Sequence, residues 1–349
     1  MNNRNKILAN GFAGAILAAT VSGGAGAAAI IDNGTIQLGV DTAGQLNVPG
    51  SVPSPYAFTT EVGLRHLPTG LEATSHGCLC EGWGVGIADA SGTRVTSGYA
   101  NNSSGGVIGL TEVSFTSTAD TAQSVVELAS GELRVTHSFA PSTDTPNLYE
   151  VSVDIENISG ADIADLRYTR LFDWDVEPTT FDEYVSIFGA GAASAVLYAN
   201  DDGFQSGDPF GSRAPLVAGA EGDFVDSGPD DHGALFDFGF GGLAAGETFS
   251  FSIFYGAART EADANAALAA AGIEVASFGQ SSIDQFGNGR GRLPGFDTPV
   301  ETATFIFGFT GVGGDVIVPD PGDVPVPATL ALVGLGMIGL GFIRRRPRA

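Results

Sequence analysis

The densest gathering of potential chemistry in this chain is Asp173-Trp174-Asp175-Val176-Glu177-Pro178. It follows an apolar run, Leu166–Phe172, that reads as a strand, and Asp182 and Glu183 come close behind. Residues two apart share one face of an extended strand. If the strand continues, the carboxylates of Asp173, Asp175 and Glu177 therefore stand side by side, as a set of hard oxygen donors suited to calcium. Trp174 offers a second chemistry, since an indole can stack on a sugar ring while a neighbouring carboxylate bonds its hydroxyls. A third is acid–base hydrolysis by a carbohydrate-active enzyme, which needs two carboxylates across the scissile bond. The plain structural alternative is a solvated turn beside a buried tryptophan.

Cys78-Leu79-Cys80 holds the only two cysteines. In an oxidising compartment they can close a local disulfide. A covalent lipid or intermolecular link, free thiols, or a metal site helped by His76 are the alternatives, although finger-like ligand spacing is missing. Two more acidic loops, Asn200-Asp201-Asp202-Gly203 with Asp208, and Asp223 to His232, have turn composition and lack the twelve-residue calcium hand. Gly239-Phe240-Gly241-Gly242 reads as a turn. The histidines (His66, His76, His137 and His232) fall in no HExxH spacing, and His137 sits within a strand as a packing or edge residue. A Gly-x-Ser-x-Gly elbow is missing too, which weighs against catalysis without excluding it.

The C-terminal end carries a different kind of signal. Val324-Pro325-Val326-Pro327 is a proline knuckle, Ala328 to Ile343 has no charge, and Arg344, Arg345 and Arg346 form a basic stop. As a helix the uncharged run spans about 24 Å, enough for a thin or thinned bilayer. The arginines would place the C-terminus on the cytoplasmic side. This tripartite tail resembles the PEP-CTERM sorting signal, and the family pattern carries a glutamate where Val326 stands here. Val318-Pro319-Asp320-Pro321 is a second candidate knuckle. Tails of this kind also carry an ice-binding label, which concerns the anchor and brings no ice-binding activity with it. The resemblance implies an exosortase-type sorting enzyme and a membrane as partners. It also implies an extracellular polysaccharide matrix, an inner-membrane anchor and, after processing, a place at the cell surface.

The N-terminus agrees with export. Arg4 and Lys6 precede the apolar stretch Ile7–Val21, and Ala27-Ala28-Ala29 suits a small-residue cleavage site, so residues 1–29 read as a signal peptide with a mature start near Ile30. Between the two terminal signals lie nine arginines and all 40 acidic residues. Such a surface repels nucleic acid and anionic lipid headgroups.

These features must be positioned by short β-rich elements. Tyr149, Val151, Val153 and Ile155 alternate with Glu150, Ser152 and Asp154, and Phe249, Phe251, Ile253 and Tyr255 repeat the pattern. Further runs at Thr35–Val40, Val113–Thr116, Ser124–Leu128, Leu133–Phe139, Val185–Phe188, Ala234–Phe240 and Thr302–Phe309 make the fold class all-β, a β-sandwich ectodomain. One short helix interrupts it: Thr260 to Asp263 makes a capping box, Ala262–Ala271 is helix-forming, and Gly272 supplies the stop. It is expected to cover a sheet edge or end. Residues 30–80 read as loosely structured because of Pro49, Pro53 and Pro55, and Ser97–Gly106 reads as an internal boundary. The organisation expected is signal peptide 1–29, ectodomain 30–310, Pro/Gly linker 311–327, and a single transmembrane helix with a basic tail at 328–349. On this reading the protein is an exported, surface-sorted structural or binding protein; the competing reading is the carbohydrate-active enzyme using Asp173, Asp175 and Glu177.

Overall fold

A computed structural model describes residues 27–318 apart from 57–58, 79, 102–105 and 285. The sorting knuckle, the basic stop, the expected transmembrane helix and nearly all of the expected signal peptide lie outside the described residues. Among the described residues, no helix is long and apolar enough to cross a membrane.

In chain order the strands begin with β1 (Ala29–Asp32), β2 (Ile36–Val40), β3 (Leu64–His66), β4 (Leu71–Glu72), β5 (Glu81–Ala88), β6 (Arg94–Asn101) and β7 (Gly106–Ile108). There follow β8 (Leu110–Ser117), β9 (Ala122–Leu128), β10 (Leu133–Pro141), β11 (Leu148–Asn157), β12 (Ile163–Trp174), β13 (Glu183–Phe188) and β14 (Val196–Asn200). The last part holds β15 (Phe224–Asp230), β16 (His232–Leu243), β17 (Thr248–Ala258), α1 (Glu261–Ala270), β18 (Val275–Ser281), β19 (Arg290–Gly291), β20 (Val300–Glu301) and β21 (Thr304–Thr310). A nine-stranded sheet runs β15-β13-β18-β21-β17-β11-β10-β9-β8, and a six-stranded sheet runs β14-β16-β12-β5-β6-β7. β1 to β4 form a small third sheet, and β19 pairs with β20.

The large sheets meet across one apolar core. Val135, Val151, Val153, Phe251 and Tyr255 come from the nine-stranded sheet, and Trp83, Tyr168, Phe172, Phe236 and Phe238 from the six-stranded one. The alternation expected at 149–155 holds, with Tyr149, Val151, Val153 and Ile155 all buried and the intervening side chains half-buried. Aromatic rings dominate the middle of the core, as in Phe172 against Phe307 at 5.1 Å and Phe238 against Phe309 at 4.8 Å. Such pairs add to the area they bury.

Residues 30–80 depart from expectation. Ile31, Ile36, Leu38, Val40, Leu46 and Leu64 are fully buried in the same core, so this segment is structured rather than loose. Pro49, Pro53 and Pro55 fall between β2 and β3, where a missing amide costs no ladder hydrogen bond. Ser97 to Asn101 is likewise no boundary: it is strand, paired with β5 and carried into the six-stranded sheet.

The helix starts as expected, with Thr260 Oγ1 accepting from the Asp263 amide at 3.1 Å. Its placement differs. Ala264, Ala267 and Leu268 pack with Leu148, Phe254, Ile273, Phe278 and Ile306 in a second apolar cluster, so α1 covers a face of the nine-stranded sheet and not its edge. Ala-rich composition makes this possible, because small side chains let the helix lie close to the strands.

Candidate functional site

Strand β12 delivers Asp173 to the end of the six-stranded sheet. There the Asp173 amide donates to the Cys80 carbonyl at 2.9 Å, and Gly233 of β16 stands opposite in register. Two glycines make the crowding tolerable. A Cβ on Gly203 would lie 2.6 Å from the Phe172 carbonyl oxygen, and one on Gly233 would collide with that same oxygen. Beyond Trp174 the ladder with β16 stops, and the backbone bonds instead to residues 72–80. Asp175 donates to the Ala73 carbonyl at 2.7 Å and Glu177 to the Glu72 carbonyl at 3.1 Å.

This change of partner redistributes the three carboxylates. One oxygen each of Asp173, Asp175 and Asp231 lies within 4.8 Å of the others. Glu177 is not among them. Its Oε2 accepts the Glu72 amide at 3.1 Å and its Oε1 stands 3.3 Å from His76 Nε2. Asp231, one residue before β16, takes the third place, and Glu183 at the start of β13 adds a fourth negative group.

Asp173, Asp175 and Glu183 are buried, and Asp231 is exposed. Oδ1 of Asp173 and Oε1 of Glu183 have no hydrogen-bond partner among the described residues, and neither oxygen of Asp175 meets hydrogen-bond geometry, although the His76 backbone amide lies close enough to favour the Asp175 charge. Asp173 Oδ2 lies 3.5 Å from Cys78 Sγ, but Cys78 is disulfide-bonded to Cys80 and that sulfur carries no proton to donate.

The electrostatics follow from this geometry. Burial, with the charges of Glu183 and Asp231 behind it, pushes Asp175 up to about 9. Burial, then Asp173 and Asp231, pushes Glu183 up to about 10. Asp173 is raised well above the ordinary aspartate range by burial first and then by Asp175, Asp231 and Asp202. The site therefore either takes up protons or takes up a positive ion.

The other candidates separate cleanly. Trp174 is fully buried, its ring 4.5 Å from Phe172 and its Nε1 donating to Ser277 Oγ at 3.0 Å. It is a core side chain and presents no face to a sugar. An open polar pocket of about 240 Å³, lined by Tyr184, Asp226, Glu261, Gln280, Asp284 and Gly287, contains none of the clustered carboxylates. Most of the acidic loops do turn work: Asp201 accepts the Leu216 and Val217 amides at 2.8 and 3.0 Å, and Asp223 accepts the Ala190 amide at 2.7 Å. His137 is wholly buried against Trp83, with Nε2 3.0 Å from Tyr168 Oη. His232 lies between Asp201 and the Glu183 carbonyl, at 3.1 and 3.2 Å.

Fold and site together define an antiparallel, acid-rich β protein with a largely buried carboxylate cluster at the strand ends. Residues 323–346 match the family model of the PEP-CTERM protein-sorting motif, so the chain carries an exosortase sorting signal and is an exported, surface-sorted protein. No curated protein matches this chain.

Proposed function

We propose that this chain is a structural or binding protein of the cell surface, associated with extracellular polysaccharide, and that it does not hydrolyse it. Its β-sandwich body covers residues 30–310, followed by the linker 311–327 and a membrane-crossing tail at 328–349. The observation that carries this reading is the union of a sorting tail with a body that buries the three candidate catalytic carboxylates: Asp173, Asp175 and Glu177 are at most 1% exposed. A glycosidase must bring both carboxylates against a sugar in an open cleft.

The nine-stranded sheet supplies a better contact surface for a polymer. Thr116, Gln123, Ser138, Ser152, Ser252 and Thr310 stand in register across six neighbouring strands, and none of them is buried. Such a row of hydroxyl and amide groups can hydrogen-bond a polysaccharide along its length.

The test is to mix the exported protein with its host's extracellular polysaccharide, then measure depletion from solution and release of reducing ends. Depletion without release is expected, as is failure of a chain lacking residues 323–346, which has neither the sorting motif nor the tail, to reach the cell surface. Sugar release abolished by Asp175→Asn would establish the enzyme instead, and absence of depletion would remove the polysaccharide.

A further inference from the structure

We propose that Asp173, Asp175 and Asp231 hold one hard divalent cation of the calcium class, with the buried Glu183 carboxylate adding negative charge nearby, and that this ion ties the end of β12 to the start of β16.

Spacing is the first argument. Oxygens bound to calcium lie about 2.3–2.6 Å from the ion, so opposite ligands stand about 4.6–5.2 Å apart and adjacent ones closer. One oxygen each of Asp173, Asp175 and Asp231 falls within 4.8 Å of the other two. The second argument is independent of acidity. Asp175 is fully buried with neither oxygen in hydrogen-bond geometry and only the His76 backbone amide near, Asp173 Oδ1 and Glu183 Oε1 are unpartnered, and Asp173 Oδ2 faces only a disulfide sulfur. Buried oxygens aimed at one another without a donor are costly unless something positive lies among them.

The chemistry of the donors selects the ion. Carboxylate oxygens suit calcium and its hard relatives, whereas soft ions prefer thiolate. Cys78 and Cys80 stand beside Asp173, and pairing them in a disulfide withdraws the only thiolates. Asp231 is the exposed member, so an ion can arrive from solvent and water can complete its shell there. Extracellular modules bind calcium with Kd of about 10⁻⁴–10⁻³ M, which fits the exported setting on which the physiological ion supply rests.

Titration with calcium, magnesium and zinc salts of the full chain, stripped with EDTA, tests the proposal without reference to sorting. Calcium is expected to bind one per chain and to raise Tm. Its Kd should weaken at least about tenfold in Asp175→Asn and in Asp231→Asn, whose exposed position keeps the fold safe. Glu177→Gln should bind as the parent does. No binding or Tm change with any of the three ions overturns the proposal, as does an undiminished calcium effect in both Asn variants. In the first case Asp175→Asn should stabilise the stripped chain, because the carboxylates then share protons.

Discussion

Glu177 Oε1 stands 3.3 Å from His76 Nε2, with both side chains inside the protein. With its other oxygen on the Glu72 amide, Glu177 is pinned to the 72–76 segment, two residues along the chain from Asp175, whose oxygens lie outside hydrogen-bond geometry. Glu177→Gln should lower stability by about 1–3 kcal/mol, the range for leaving a buried polar partner unsatisfied. Urea unfolding would register this as a lower midpoint with an unchanged slope. A stability equal to that of the parent would mean that the contact contributes nothing.

Arg170 and Glu81 form the deepest ion pair. Neither side chain is exposed, and Arg170 Nε donates to Glu81 Oε1 at 2.6 Å. Tyr255 Oη also donates to that oxygen at 3.1 Å, while the Leu46 amide donates to Oε2 at 2.6 Å. This network holds the 41–46 turn, β5, β12 and β17 together. Removing one partner strands a buried charge, so Arg170→Met should cost about 3–5 kcal/mol. A double variant that also carries Glu81→Leu should recover part of that loss, and a double-mutant cycle in urea measures it. Strict additivity would contradict the coupling.

Acid should weaken the protein through its buried histidines. Burial first, and then Arg259, hold His66 down to about 4 from 6.5, opposed by Glu301. His137 is depressed well below its ordinary value by burial and by Arg170. The unfolded chain binds protons that these folded-state rings refuse. Their contribution is therefore fully present above pH 6.5 and is lost as pH falls from 6.5 toward the folded values. For His66 that window ends near pH 4, and the loss is up to about 1.4 kcal/mol per pH unit. Comparing urea unfolding at neutral and acidic pH for the parent and for His66→Gln isolates this contribution. Equal acid sensitivity in the two chains would refute it.

The close approach at Gly233 gives a steric prediction. A methyl group there meets the Phe172 carbonyl oxygen, so Gly233→Ala should destabilise by about 1–3 kcal/mol and displace Asp173, weakening calcium binding. Gly160 has no left-handed φ, and nothing lies within 4 Å of the place an alanine methyl would take. It should accept alanine within about 0.5 kcal/mol. Thermal unfolding of the two variants side by side provides the check.

Local pattern carries much of this architecture. Alternation at 149–155 and the Thr260 cap are contacts between near neighbours, so their residue types betray them. β5 is hidden from such a reading because Gly82, Gly84 and Gly86 fill its outer face. Those glycines are required there, since the 207–210 segment lies against that face and a Cβ on Gly86 would come within 2.6 Å of the Phe210 ring. The acidic cluster is half legible. Asp173 and Asp175 stand out, but Asp231 arrives through the β12–β16 register that sets Trp174 against His232, and a linear reading contains no such long-range pairing. Extending the strand period past Trp174 groups Glu177 with them, but the ladder has ended by then.

An ion belongs among Asp173, Asp175 and Asp231, with Glu183 close by. Anomalous diffraction from crystals grown with calcium addresses this placement most directly. A single peak bounded by these carboxylates is expected, with oxygens at about 2.3–2.6 Å. An empty map, with carboxyl oxygens drawn to about 2.5–2.7 Å of one another and sharing protons, would contradict it.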